Sequence, residues 1–189
     1  VQKLGVDFLS LSAHKFYGPK GVGALYAKDP KILKPLIIGG NQEGSLRAGT
    51  ENIPYIAAMG LACELATKSL KKNIRHLKSL EILFKQKLQN LFKNLTFNGS
   101  QSKKLPGVIS VSFPGFSSDI LLIKLDREKI YVSNGSACGS GIVKPSHVLK
   151  AIGLDDSTNL STLRFSFGRL NNFEEVETLV NVLKYKILK

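Results

Sequence analysis

The stretch VDFLSLSAHKFYGPKGVGALYA, residues 6–27, decides how the fold is read. Its two apolar runs, VDFLSLS (6–12) and VGALYA (22–27), have the length and the flanking turn residues of strands buried in a sheet. Between them stand His14 and Lys15, then the turn residues Gly18, Pro19 and Gly21. A lysine directly after such a strand lies at its carboxyl end, where open α/β sheets hold ligands. Desolvation there disfavours the ammonium form, and a neutral lysine can add to an aldehyde. Ser12 and His14 offer donors to a phosphate, and the glycines let backbone approach closely. The plainer alternative is a strand-end lysine reaching into water beside a glycine turn. No GK is followed by Ser or Thr, so this is not a Walker loop.

Farther along, PLIIGGNQEGSLRAGTEN (35–52) is a long, polar, glycine-rich loop of the kind that carries function, with Arg47 and Thr50 as anion donors and Glu43 as a carboxylate for an arginine. Thr50 or Asn52 then caps a helix with Pro54 in its first turn. Leu70, Ile74, Leu77, Leu80, Phe84, Leu88, Leu91 and Leu95 recur at three- and four-residue steps, the stripe of one long helix or of two with a break. Cys63, among small and apolar helical residues, reads as a buried, inert thiol. GVISVSF (107–113) alternates as a half-buried strand, and SSDILLIKL (117–125) is a capped short helix. SHVLKAI before Gly153 is a helix with a glycine stop. In STLRFSFG (161–168), Leu163, Phe165 and Phe167 face one way while Arg164 and Ser166 face the other. Asn172 caps a last helix with Val176, Leu179, Val180, Leu183 and Ile187 on its core side. Strands mixed with helices make the chain α/β with an α+β-like tail.

With 189 residues and 43% apolar content, the chain can bury a real core in one large or two small domains. No run approaches the roughly 20 apolar residues of a membrane span, and Lys3 and Asp7 interrupt the apolar start, which predicts a cytoplasmic protein. The two cysteines and three histidines are scattered, giving no metal-ligand spacing and no disulfide framework. Cys138 differs from Cys63: it lies in SNGSACGSG, where glycines and serines predict an exposed thiol suited to nucleophilic work, against the alternative of an accidental loop cysteine. Arg164 is a fixed fork for a carboxylate, with a structural salt bridge as the alternative.

The formal charge is +13, and between Lys68 and Lys104 ten Lys or Arg face one acid, Glu81. Without interleaved aromatics or a reading helix, this is a solvated helix face or a surface for an acidic protein before it is a nucleic-acid surface.

HKFYGPKGVGALY, GGNQEGSLRAGTEN, SNGSACGSG and LRFSFGRLNNFEEVE together resemble the cysteine desulfurases of the NifS/IscS type, in order and at similar spacing. These are class V aminotransferase relatives that depend on pyridoxal phosphate and have the type I fold. The resemblance runs through essentially the whole chain and covers the C-terminal half of such an enzyme. It implies that residues 1–65 are the edge of a cofactor-binding large domain, a mixed sheet with helices, and that residues 66–189 form a smaller α+β domain. By resemblance, Lys15 binds pyridoxal 5'-phosphate covalently and moves protons, Ser12 and His14 hold its phosphate, and Thr50 reaches the phosphate of a neighbouring subunit, implying a homodimer. Cys138 matches the cysteine that takes sulfur from L-cysteine as a persulfide, and Arg164 the arginine that binds the substrate carboxylate. A sulfur acceptor or iron–sulfur scaffold protein is the implied partner. Asn41, Gly44, Ala48 and Gly139 depart from the family's usual residues. The alternatives are another lyase or aminotransferase of this fold, which would not need Cys138, and a non-catalytic interaction module.

Overall fold

The structure is a computed structural model, and it describes residues 1–134 and 144–187. The chain divides into two compact units, Val1–Leu70 and Lys71–Lys189.

In the first unit, β1 (Phe8–Ser12) and β2 (Gly23–Ala27) form a two-stranded antiparallel ribbon with Phe8 opposite Ala27 and Ser12 opposite Gly23. A side chain at Gly23 would meet the Leu11 carbonyl at 2.4 Å, so the strands approach this closely only with glycine there. The expectation of buried strands is not met. Phe8 and Leu25 remain 45% and 57% exposed, because two strands alone cannot cover both their faces. Irregular chain follows, interrupted by single 3-10 turns at Pro30–Ile32 and Gln42–Ser45.

One continuous helix, α1 (Ile53–Leu91), resolves the choice between one helix and two. The Asn52 carbonyl accepts from Ile56 N at 2.9 Å, which places Asn52 at the helix entrance, with Pro54 in the first turn. Cys63 is exposed, correcting the expectation of burial. The buried side of this stretch is Met59 and Ala62, and one residue on the chain has turned about 100° away from it.

The second unit is built on a four-stranded antiparallel sheet in the order β3 (Thr96–Phe97), β4 (Val108–Ser112), β6 (Thr162–Ser166), β5 (Ser133–Asn134). Ile109 pairs with Phe165 and Val111 with Leu163, and these side chains share one face. Onto it are packed Leu80, Phe84 and Leu88 of α1, Leu121 and Leu125 of α2 (Ser118–Arg127), and Val176, Leu179 and Val180 of α5 (Phe173–Val182), all in one core cluster. A π-helical turn at Leu183–Ile187 closes that core with both its terminal residues buried. Asn172 and Glu175 form a reciprocal capping box on α5. Two short helices, α3 (His147–Ala151) and α4 (Asp156–Leu160), precede β6.

Glu81, the lone acid of the lysine-rich stretch, is only 7% exposed. It receives Lys85 and Lys104, each at 2.8 Å, and the Gly107 N–H at 3.0 Å. Gly107 itself lies at φ +79, which strains any side chain, and a Cβ there would press on Leu77 and the Phe167 carbonyl at 3.2 Å. The carboxylate thus ties the approach to β4 onto α1.

Candidate functional site

β1 runs directly into a 3-10 turn, Ala13–Phe16, that holds His14 and Lys15. Ala13 is fully buried and anchors the turn, its N–H donating to the Val22 carbonyl at 3.1 Å while its own carbonyl accepts from Gly18 N at 2.9 Å. Tyr17 then takes φ +69, a left-handed conformation that a non-glycine residue adopts only where its surroundings impose it. The outcome is a short, fixed platform from which Ser12, His14 and Lys15 all present exposed side chains. A hydroxyl, an imidazole and a primary amine on four consecutive positions are the donor set a phosphorylated aldehyde requires.

The second loop of this unit is shaped by backbone. Glu43, Gly44 and Ser45 take three successive positive φ values, 51, 64 and 66. Gln42 Oε1 accepts from Gly49 N at 3.2 Å, closing the loop on itself, and the buried Ala48 donates to the Ile37 carbonyl at 3.1 Å. Thr50 is exposed at the loop's exit. Arg47 turns its Nη1 to the Ala48 carbonyl at 3.1 Å, and forms no ion pair with Glu43.

Arg164 lies mid-strand on β6, on the face opposite the core. In register it has Ser110 of β4 on one side and Ser133 of β5 on the other. Its Nη2 donates to Ser133 Oγ at 3.4 Å, and its Nε is buried without a partner. The salt bridge weighed from the sequence is absent among the described residues, so the guanidinium keeps its charge and most of its donors for an anion. A buried, unpartnered guanidinium nitrogen is costly unless something accepts from it.

Cys138 lies outside the described residues. The chain on either side of 135–143 is held by asparagines that the sequence reading did not pick out. Asn134 Nδ2 donates to Asp119 Oδ1 of α2. Asn159 of α4 is buried and grips the Ser146 backbone twice, accepting from its N–H at 2.8 Å and donating to its carbonyl at 2.9 Å. Each is the single asparagine of its segment, and neither composition nor periodicity marked it. The structure therefore gathers Ser12, His14 and Lys15 on one turn, puts Thr50 in the same unit, and sets Arg164 in the other unit.

The aminotransferase class-V family model matches residues 1–179. Among curated proteins, the chain is 43% identical over 189 residues to a cysteine desulfurase IscS of Dictyoglomus turgidum, covering 100% of this chain and 48% of that protein. It is 41% identical over 187 residues to a mitosomal cysteine desulfurase of Encephalitozoon cuniculi, covering 96% of this chain and 42% of the relative. Among solved structures, a NifS-like protein superposes with TM-score 0.86 at 35% identity, covering 97% of this chain and 47% of the other. A NifS-like protein from Rickettsia africae gives 0.85 at 31% identity, covering 96% and 48%. The chain spans about half the length of the curated relatives it matches. A match over nearly the whole chain, on a mixed α/β fold shared with these structures, means that the chain belongs to the aminotransferase class-V family.

Proposed function

We propose that this chain is the C-terminal portion of a pyridoxal-phosphate-dependent cysteine desulfurase, which converts L-cysteine to L-alanine and retains the sulfur as a persulfide. In this reading the first compact unit belongs to a cofactor-binding large domain, with residues 1–65 as its contribution, and residues 66–189 form the smaller domain. The observation that carries the reading is the exposed Lys15 on the 3-10 turn that follows β1, next to Ser12 and His14, in a chain of this family.

The donor set fits the cofactor. Lys15 supplies the amine that would hold its aldehyde carbon, Ser12 and His14 the donors for its phosphate, and Thr50 a hydroxyl for the phosphate of a second subunit in a homodimer. When bound, pyridoxal phosphate supplies an electron sink that makes the substrate's Cα–H acidic. Lys15 is then the base that takes and returns that proton. Arg164, flanked by two serines and short of an acceptor at Nε, would bind the substrate carboxylate. Cys138 would receive the sulfur: its thiolate attacks the substrate sulfur, an S–S bond forms as the C–S bond breaks, and the electron pair stays with the substrate's carbon skeleton, whose β-carbon takes a proton before L-alanine leaves. Sulfur then passes to an acceptor protein for iron–sulfur clusters or other sulfur-containing products. The reading places the protein in the cytoplasm; no described helix is long and apolar enough to cross a membrane.

The test is to mix the purified chain with pyridoxal phosphate, reduce with borohydride and map the modified lysine by mass spectrometry. Selective labelling of Lys15 is expected among the chain's many lysines. Scattered labelling would withdraw the cofactor role from this chain and favour a non-catalytic interaction module.

A further inference from the structure

In the Lys71–Lys189 unit the carboxylates that form ion pairs are already committed. Glu81 holds Lys85 and Lys104, Glu128 holds Lys186, Asp156 holds Lys150 and Glu177 holds Lys87. Lys71, Lys72, Arg75 and Lys78 of α1 have neither an ion pair nor a hydrogen bond to any described residue, and all four are exposed. At about 100° per residue, Lys71, Arg75 and Lys78 fall on one line down the helix, and Lys72 lies about a quarter-turn to one side. Like charges three and four residues apart repel, so the stripe is a local cost that the fold itself does not relieve. The same line continues to Ile82, an aliphatic side chain left 55% exposed although Leu80 and Phe84 on the opposite side are fully buried.

We propose that this face of α1 docks an acidic amphipathic helix of a protein partner. Carboxylates at three- and four-residue spacing on the partner would answer Lys71, Lys72, Arg75 and Lys78, and one apolar side chain would cover Ile82. The basic part and its apolar end together run about 16 Å, three turns of helix, which matches a helix and not a point contact. A single-stranded nucleic acid would use stacking side chains, and the stripe has none. A membrane surface would need a broad exposed apolar face beside the lysines, whereas Ile74 and Leu77 are half-buried, Leu80 lies in the core, and Ile82 is the exposed apolar side chain on the stripe. The inference does not depend on the desulfurase reading.

The experiment uses the full chain and a fluorescein-labelled helical peptide with glutamates at i, i+3, i+4 and i+7 and a leucine one turn beyond, read by fluorescence anisotropy. Binding should weaken with added salt, and K71E/K72E/R75E/K78E should weaken it by about tenfold or more, whereas K28E/K31E/K34E should leave it nearly unchanged. Ile82→Ser should lower affinity without altering the salt dependence. Circular dichroism of each variant checks that α1 is retained. Absence of binding at low salt, or equal losses in the two charge-reversed variants, would overturn the proposal. Tighter binding of an oligothymidylate or of phosphatidylserine vesicles than of the peptide would overturn it in favour of those partners.

Discussion

Ser133 and Arg164 face each other across the β5–β6 ladder, and Arg164 Nη2 donates to Ser133 Oγ at 3.4 Å while Nε of the same guanidinium is buried with no acceptor. The serine orients the fork without neutralising it. Removing the fork with Arg164→Ala loses hydrogen bonds to a charged group, worth about 1.5–3 kcal/mol, so KM for L-cysteine should rise by about ten- to a hundredfold. Ser133→Ala removes one long bond that orients the guanidinium without touching the substrate, and should raise KM only about threefold at nearly constant kcat. Steady-state rates of alanine formation by the assembled enzyme check both. Unchanged KM in Arg164→Ala would remove the carboxylate role.

The Glu81 cluster makes a prediction about stability and its pH dependence. Burial pushes the Glu81 carboxyl upward, but the hydrogen bonds from Lys104, Lys85 and the Gly107 N–H outweigh it and hold the group below the ordinary glutamate range. A folded-state value below the unfolded one means that the stabilisation is present in full above the ordinary value of about 4.3 and is lost as pH falls through the lowered one. Glu81→Ala leaves two partly buried ammonium groups without a counter-charge, Lys85 keeping only Gln101 Oε1 and Lys104 only backbone carbonyls, and takes the acceptor from the buried Gly107 N–H; it should cost about 2–4 kcal/mol at neutral pH. In urea titrations, the gap between the wild type and Glu81→Gln should hold between pH 7 and about 5 and narrow in acid. A gap that widens in acid would contradict this sign.

Much of this arrangement is legible from single residues and their spacing, and the remainder depends on register. The buried stripe of Leu80, Phe84 and Leu88 on α1, the alternation of β4 and β6, and the Asn172–Glu175 box follow from periods of 3.6 and 2 and from capping chemistry, so they read directly, although Leu70 of the same stripe is exposed and Leu95 lies past the end of α1. Glu81 did not, because a lone acid in a lysine-rich helix looks like a solvated residue until Lys104 and Gly107 are folded back onto it. Cys63 misled for a related reason: apolar neighbours in sequence are not neighbours in space, and a 100° step carries the thiol from Ala62's buried side to solvent. The apolar letters of β1 and β2 report what those strands favour as neighbours. They do not report whether a two-stranded ribbon supplies those neighbours. For the candidate site, the Lys15 turn and Arg164 are each local in sequence, whereas Ser133 beside Arg164 is set by a pairing of two-residue β5 that no local pattern announces.

Asn159 offers a test of how the segment ending at Ser146 is held. Its amide is the one side chain that can both accept from the Ser146 N–H and donate to the Ser146 carbonyl in a buried place. Asn159→Ala leaves both backbone groups unpaired and should cost about 2–3 kcal/mol. Asn159→Asp should be no milder, because it keeps the acceptor but sets a carboxylate oxygen against the carbonyl. Thermal melts compare the two, and an Asp variant at wild-type stability would show that the second bond carries no weight.

In the proposed reaction Lys15, Cys138 and Arg164 each act on a different part, so their roles separate experimentally. Lys15→Ala should abolish borohydride-trapped pyridoxal phosphate, since no other lysine sits on the Ala13–Phe16 turn beside Ser12 and His14. Cys138→Ala should retain the trapped cofactor in full yet accumulate no cyanide-labile sulfur on the protein after addition of L-cysteine, because the thiolate that receives the sulfur is gone. Arg164→Ala should retain the cofactor too, and should recover sulfur loading when L-cysteine is raised in proportion to its KM. If Cys138→Ala loaded sulfur normally, the persulfide would belong to another residue, and the exposed Cys63 would be the first to examine. If instead it released alanine at the full rate without bound sulfur, the chemistry would be that of a lyase expelling the sulfur directly, and Cys138 would have no part in breaking the C–S bond.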